Sequence, residues 1–299
     1  MTDSTTPEIS VFRGILLGTL DQDMPHQPDK IWKLCNGAER IDCLIPSEDL
    51  SRELLSMPIS THWLQIVDWP VAADTSTRPL PVLTSAWTDD SLDDALYQLP
   101  MDICPVDGVY MGILELIETF NVPALYHMMV SIFCERDVVD RFWTMPASAR
   151  HHHAFAGGLA AHTLEVARDL AGQSCLEDHE RELCVAAGLL HDIGKVWSYT
   201  PDMFLNTAAR AMGHELVGLA RLERELRELE SEWSDGAYAL RVLISGCGRM
   251  RQDGSMPSAL VARLRAADQR SCEQERSRQR PKQVWTPGQW KSTTPPPVL

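Results

Sequence analysis

An adjacent histidine and aspartate, His191-Asp192, end an apolar run and are followed at once by Ile193-Gly194-Lys195. A carboxylate beside an apolar run is costly to bury unless a cation or a hydrogen-bonding partner reaches it. A neutral imidazole and a carboxylate side by side suit a divalent cation. Whatever fold the chain adopts must therefore bring further polar groups, a metal ion, or both to this pair.

Two more polar residues interrupt apolar faces elsewhere in the chain. His162 shares a predicted helical face with Leu159 and Val166, and Asp268 shares one with Leu264. Either residue alone is more often a hydrogen-bonded core residue than a ligand. Together with His191-Asp192, they are best explained by one shared cation held between separate helices. Such a site indicates phosphate-ester chemistry.

Composition narrows the class of protein. The chain has 299 residues, of which 44% are hydrophobic, and a net charge of −15. No apolar run approaches the roughly 20 residues that span a membrane, so we expect no membrane segment. The first residues are polar and include no basic cluster, so we expect no signal peptide. The eight cysteines form no Cys-x-x-Cys pair. This pattern predicts a cytoplasmic protein with reduced thiols.

The first part of the chain has the alternation typical of short strands. Residues 1–90 are predicted to form a small β-rich domain plus a linker, with Asn36-Gly37 as a hairpin turn. An OB-like barrel is one arrangement for such strands, and a sandwich is another. The Pro-, Thr- and Ser-rich stretch from Val71 to Ser91 is expected to be the linker. The strand candidates are Val11 to Leu20, Lys30 to Cys35, Arg40 to Ile45 and His62 to Trp69.

From about Pro105 the pattern becomes helical, so the fold class is mainly α, with an all-α domain over residues 105–272. One long helix is predicted from Ala208 to Trp233, and Gly194 is predicted to end the helix that carries His191. After Cys272, residues 273–299 are basic and Pro-rich and are expected to form a flexible tail.

The motif as a whole resembles the HD superfamily of metal-dependent phosphohydrolases. The segment before His162 reads Arg150-His151-His152-His153-Ala154-Phe155-Ala156-Gly157-Gly158. It resembles two branches of this superfamily in particular. These are the TraI-type domain of MobH conjugative relaxases and the YhaM-type 3′-to-5′ exoribonucleases, which carry an N-terminal OB domain. The resemblance implies that the metal ligands are His162, His191, Asp192 and Asp268. It also implies that Lys195 contacts the scissile phosphate, and that His214 corresponds to a further histidine of these enzymes.

The chain departs from the exoribonuclease-like pattern after its predicted long helix. Ser245-Gly246-Cys247-Gly248 stands where that branch has Ser-His-His-Gly. Extra histidines of this kind serve a second ion in two-metal sites. Three alternatives follow: one metal is enough, His214 with His152 or His153 assists as outer or second-metal ligands, or catalysis has been lost.

These features predict a metal-dependent phosphodiesterase or nuclease that acts on single-stranded DNA or RNA. The resemblance to conjugative relaxases implies a role in conjugative or mobile-element DNA processing, with the conjugation machinery as a partner. Asp192 and Lys195 would be catalytic. The alternatives are a non-catalytic, metal-stabilised nucleic-acid or partner-binding module and a nucleotide phosphohydrolase. The sequence leaves open the oligomeric state and the choice among Mn²⁺, Fe²⁺, Mg²⁺ and Ni²⁺. Because the rest of the chain is acidic, the predicted nucleic-acid contacts are the basic residues Arg276, Arg278, Arg280 and Lys282.

Overall fold

The computed structural model describes residues 7–18, 31–68, 79–89, 95–245 and 256–279. The strands are confined to the first part of the chain and the long helices to the rest, which confirms the predicted fold class. Within these ranges, no helix combines the length and apolar character that crossing a membrane requires.

Five strands close into a barrel in the order β1-β2-β3-β5-β4. All neighbouring pairs are antiparallel except β3 and β5, which meet in parallel at Leu44 and Val82. A five-stranded barrel of this kind, with a helix between its third and fourth strands, is an OB-like arrangement. Its elements are β1 (Glu8–Leu17), β2 (Ile31–Cys35), β3 (Arg40–Leu44), α1 (Glu48–Ser56), β4 (His62–Asp68) and β5 (Val82–Thr88).

The barrel encloses its own small apolar core. Trp32, Leu34, Leu64 and Leu83 are almost fully buried there, because their strands alternate between inward and outward residues. The expected hairpin forms between β2 and β3. The linker prediction was wrong for its last part, since β5 lies within it. Leu83 is buried in the barrel core and Ala86 packs against that core, whereas the flanking prolines and threonines gave that stretch the composition of a loop.

The helical part begins with a 3-10 turn, Leu96–Gln98, and packs around a second, larger core. Tyr110, Phe133, Phe142 and Trp143 form an edge-to-face aromatic cluster within that core. Its helices are α2 (Val109–Ile117), α3 (Pro123–Phe133), α4 (Arg136–Arg141), α5 (Gly158–Ala171), α6 (Asp178–Leu190), α7 (Lys195–Ser198), α8 (Thr207–Met212), α9 (His214–Arg221), α10 (Glu223–Glu232), α11 (Ser234–Ile244) and α12 (Met256–Gln279).

Three helix boundaries differ from the prediction. The single helix expected from Ala208 to Trp233 is three helices, α8 to α10. Gly213 ends the first, because it adopts a positive φ of 83° that a continuing helix does not allow. Leu222, with a φ of −86° and a ψ of 5°, separates the second from the third. Helix α6 ends at Leu190, and Gly194 instead precedes α7. Helix α12 continues to Gln279, past the expected start of the tail, because Ser271, Cys272 and Glu275 are still buried.

The barrel is attached to the helices by both apolar and polar contacts. Ile15 and Ile59 of the barrel part belong to the helical core rather than to the barrel interior. Arg136 of α4 donates hydrogen bonds to the carbonyl oxygens of Leu54 and Met57, and its guanidinium lies 5.8 Å from the Trp32 ring centroid. The two parts are therefore joined by a packed interface.

Candidate metal centre

The site begins where α5 and α6 pack closely. A Cβ added to Gly188 of α6 would lie 2.9 Å from the Cα of Ala167 on α5, so glycine is required for this approach. The close approach brings together His162 of α5 and His191, the residue at the end of α6. Their Nε2 atoms are 3.3 Å apart, and His162 is completely buried.

Two carboxylates complete the cluster around the Nε2 atom of His162. Oδ1 of Asp268, from α12, lies 3.2 Å from it, and Oδ2 of Asp192 lies 3.5 Å from it. Two ligands held ~2.1 Å from one ion lie roughly 3.0 Å apart in an octahedral arrangement and roughly 3.4 Å apart in a tetrahedral one. The separations from Nε2 of His162 have this size. The ligand atoms of His162, His191 and Asp192 all lie within 4.8 Å of one another, so these three residues could hold one divalent cation. Asp268 lies outside this group of three, and its place as a ligand stays a prediction.

The outer nitrogens of both histidines are held by the protein. Nδ1 of His191 lies 2.9 Å from the carbonyl oxygen of Gly188, and Nδ1 of His162 lies 3.1 Å from Oγ of Ser271. The Ser271 hydroxyl in turn donates to Oε2 of Glu165 over 2.8 Å. Because a carbonyl, or a hydroxyl already donating elsewhere, accepts from Nδ1–H, each Nε2 keeps its lone pair for a metal.

The sequence did not reveal that Glu165 and Ser271 hold His162. Both were visible only as polar residues one helical turn from a predicted ligand, Glu165 after His162 and Ser271 after Asp268. Helical spacing places each on the same side as its ligand. It does not show that α5 and α12 meet, which only the tertiary structure supplies.

Lys195 lies beside the cluster and is buried, with 7% of its surface exposed. Its Nζ donates to Oδ2 of Asp192 over 2.6 Å and to the carbonyl oxygen of Ala147 over 2.9 Å. An ammonium has three donors, so at most one remains for a phosphate. The structure thus places Lys195 against Asp192 and away from solvent, and its contact with substrate stays a prediction.

The three consecutive histidines differ in burial, because neighbouring side chains in a loop point in different directions. His151 is exposed, His152 is half-buried and His153 is buried. The rings of His152 and His153 have centroids 5.4 and 5.2 Å from that of His162. His153 has a positive φ of 48°, and its Nε2 lies 3.3 Å from Oε2 of Glu165 without the alignment of a hydrogen bond.

His214, at the start of α9, approaches the site from the opposite side of Asp192. Its Nε2 lies 2.9 Å from Oδ1 of Asp192, while Lys195 holds Oδ2. His214 is therefore a neighbour of a predicted ligand. Whether it binds a second ion stays a prediction, and Gly246 and Cys247, where the usual histidine pair is replaced, lie outside the described residues.

Burial and neighbouring charges set the protonation of the site. Burial opposes charge on Asp192, but Lys195, followed by His191 and the hydrogen bond from His214, outweighs it and holds the pKa of Asp192 well below its usual range. Burial lowers the pKa of His191. Burial, and then the charges of His162 and Lys195, lowers the pKa of His152 to about 4. At neutral pH Asp192 is therefore a carboxylate, and His191 and His152 are neutral imidazoles, the forms that bind metals.

The predicted nucleic-acid contacts at the C-terminus are only partly located. Arg276 and Arg278 fall on α12, but the positions of their side chains are outside the described part of the chain, as are Arg280 and Lys282 entirely. The structure therefore neither brings these residues to the cluster nor separates them from it.

Residues 159–271 match the family model described as HD domain. The helical part of the chain thus carries an HD domain, and its bounds enclose all four predicted ligands. The chain is also similar to curated 3′-5′ exoribonucleases named YhaM. That of Listeria welshimeri is 41% identical over 113 residues, and that of Listeria innocua is 27% identical over 113 residues.

Both matches cover 37% of this chain and 36% of the relative. The YhaM exoribonuclease of Bacillus velezensis is 26% identical over 121 residues, which cover 39% of this chain and 38% of that protein. The chain therefore spans little more than a third of the length of these relatives. No solved structure matches the chain closely enough to count as a relative.

Replacing His191 or Asp192 by alanine is expected to abolish metal binding, since each change removes a ligand atom from the cluster. Replacing the exposed His151 by alanine should leave the metal content unchanged. Elemental analysis of the three purified variants beside the wild-type protein, which we expect to hold about one transition-metal ion per chain, tests this assignment. Loss of the metal from the His151 variant would contradict it.

Replacing Lys195 by methionine should destabilise the metal-free protein by roughly 3–5 kcal/mol, because the Asp192 carboxylate is left buried without its cation. Urea unfolding in the presence of a chelator measures this difference. The same change at the exposed Lys33 is the control and should cost less than about 0.5 kcal/mol.

In the wild-type protein, the ion pair of Lys195 and Asp192 should contribute equally to stability at about pH 7 and about pH 5. The lowered pKa of Asp192 means that its stabilisation is fully present above the unfolded value of ~3.9 and is lost only as the pH falls further. Because the pKa of Lys195 is raised, its contribution to stability is lost only at alkaline pH, well above neutrality. A Lys195 variant as stable as the wild type would show that the ion pair contributes nothing.

Proposed function

We propose that this protein is a metal-dependent phosphodiesterase that cleaves single-stranded nucleic acid, and that RNA is its substrate. The observation that carries the proposal is the cluster of His162, His191, Asp192 and Asp268 inside an HD domain, in which His162 and Asp192 are buried. The similarity to proteins named 3′-5′ exoribonuclease supports the choice of RNA. The link to conjugative DNA processing stays a prediction from the motif around the three histidines.

The chain's own residues account for the preparation of such a site. His162 and His191 present Nε2 inward because Ser271 and Gly188 hold their Nδ1 atoms. Asp192 is kept ionised and fixed in position by Lys195 and His214. A divalent cation bound to this set would supply a Lewis acid for the phosphoryl oxygen and a water that is acidic at neutral pH. The lowered pKa values of Asp192, Asp268 and His191 mean that these three side chains are already in their metal-binding forms at neutral pH.

The barrel offers a surface suited to single strands. Trp63 of β4 and Trp87 of β5 lie directly opposite each other across the two strands, and their exposed fractions are 45% and 51%. The guanidinium of Arg13, on the neighbouring β1, lies 5.9 Å from the Trp63 ring centroid. Exposed aromatic rings with a nearby arginine are the features on which unpaired bases stack.

The activity test uses purified protein loaded with Mn²⁺ or another divalent metal and a panel of substrates. We expect a 5′-labelled single-stranded RNA to be shortened progressively from its 3′ end, and a duplex of the same sequence to be resistant. The His191→Ala and Asp192→Ala variants should be inactive, whereas His151→Ala should be active. Hydrolysis of free nucleotides alone would replace the proposal by a nucleotide phosphohydrolase. Metal binding without any cleavage would favour the non-catalytic module.

Replacing Trp63 or Trp87 by alanine should weaken single-strand binding by roughly tenfold each, because a stacked base contributes ~1–3 kcal/mol. Tyr238 of α11, whose side chain is also exposed, provides a matched aromatic control, and Tyr238→Ala should bind as the wild type does. Fluorescence anisotropy with labelled RNA in a chelator measures binding without cleavage. Unchanged affinity in both tryptophan variants would direct attention to the basic residues between 276 and 282.

A further inference from the structure

Helix α12 carries a second metal-ligating side chain one turn beyond Asp268. Cys272 follows Asp268 by four residues, so both side chains lie on the helix face that packs against α5. Sγ of Cys272 lies 3.6 Å from Oδ1 of Asp268, and only 8% of the surface of Cys272 is exposed. The thiol thus lies inside the site rather than at its rim.

The ligand atoms form two overlapping groups of three. His162, His191 and Asp192 offer atoms within 4.8 Å of one another, and so do His162, Asp268 and Cys272. His162 is common to both groups. Because Ser271 holds Nδ1 of His162, the nitrogen that faces Asp268 is Nε2. The neighbour of Cys272 in sequence therefore orients the histidine toward the group that contains the cysteine.

The separations in the second group suit one cation. With a sulfur ligand at ~2.3 Å and an oxygen ligand at ~2.1 Å, a tetrahedral arrangement places the two ligand atoms roughly 3.6 Å apart. The Sγ–Oδ1 distance of 3.6 Å has this value. The Nε2–Oδ1 distance of 3.2 Å falls in the range for a nitrogen and an oxygen on one ion. The ligand atoms of His162 and Cys272 also lie within 4.8 Å of each other, so the three side chains are within reach of one cation.

We propose that Cys272 is a thiolate ligand of the metal centre, on the side of Asp268. This inference rests on the proposed metal centre and assigns it a donor that the predicted set of imidazoles and carboxylates lacks. On coordination a metal–sulfur bond replaces the S–H bond, and the thiol proton passes to solvent. Because thiolate is a soft ligand, the centre then prefers a borderline cation such as Zn²⁺, Co²⁺ or Fe²⁺ to Mg²⁺.

The test is spectroscopy of the full chain loaded with Co²⁺. Visible d–d bands report that cobalt is bound, and a near-ultraviolet charge-transfer band reports a thiolate on it. We expect both in the wild-type protein. Cys272→Ser should keep the visible bands and lose the charge-transfer band, with Zn²⁺ affinity reduced roughly tenfold or more and Mn²⁺ affinity changed much less. Cys175, which is exposed, is the matched control, and Cys175→Ser should keep both bands.

The possible results distinguish a failure of the thiolate ligand from a failure of the whole metal centre. Visible bands without a charge-transfer band in the wild type would overturn the thiolate while leaving the metal centre in place. A charge-transfer band that survives in Cys272→Ser but disappears in Cys175→Ser would also overturn it. If no cobalt binds at all, the metal centre fails, and this ligand fails with it. A far-ultraviolet circular dichroism spectrum equal to that of the wild type establishes that Cys272→Ser is folded.

Discussion

The burial of His162 is the constraint on which the site depends. The ring contacts His191 at the end of α6 through one nitrogen, and Ser271 of α12 through the other. An imidazole without solvent must have both nitrogens satisfied, by protein groups or by a metal ion. Three helices must therefore meet at one point before this histidine can be buried at acceptable cost. The same meeting point gathers the carboxylates of Asp192 and Asp268.

Much of this arrangement could be predicted from the sequence. Alternating apolar residues indicated the strands, Asn36-Gly37 indicated the turn between β2 and β3, and the His191-Asp192 pair located the cluster. These are local signals, in which a residue's type and its immediate neighbours determine its environment. The helix breaks at Gly213 and Leu222 were missed because the amphipathic pattern continues across them, so that periodicity alone predicts one helix.

Other features depend on contacts between distant segments. Nothing near Lys195 in sequence shows that the carbonyl oxygen of Ala147 lies within its reach, so only the phosphate contact implied by the resemblance could be predicted. The backbone turn at His153 determines which of His151, His152 and His153 faces inward. The partnership of Glu165 with Ser271 joins residues on two helices that are far apart along the chain. In each case the deciding partner is defined only by the tertiary fold.

Two glycines have a consequence for how such a chain could change over evolution. A Cβ on Gly194 would lie 1.9 Å from the carbonyl oxygen of His214, and the backbones of Gly194 and Gly218 are in direct contact. The chain between Gly194 and Gly218 therefore forms an excursion whose two ends lie in contact with each other. Tyr199 and Asn206 are hydrogen-bonded back to Arg141 and Trp197, so insertions at the exposed tip around Pro201 to Phe204 would disturb the anchoring ends least. This excursion is thus where related chains are free to diverge in length, and where new specificity could arise without rebuilding the centre.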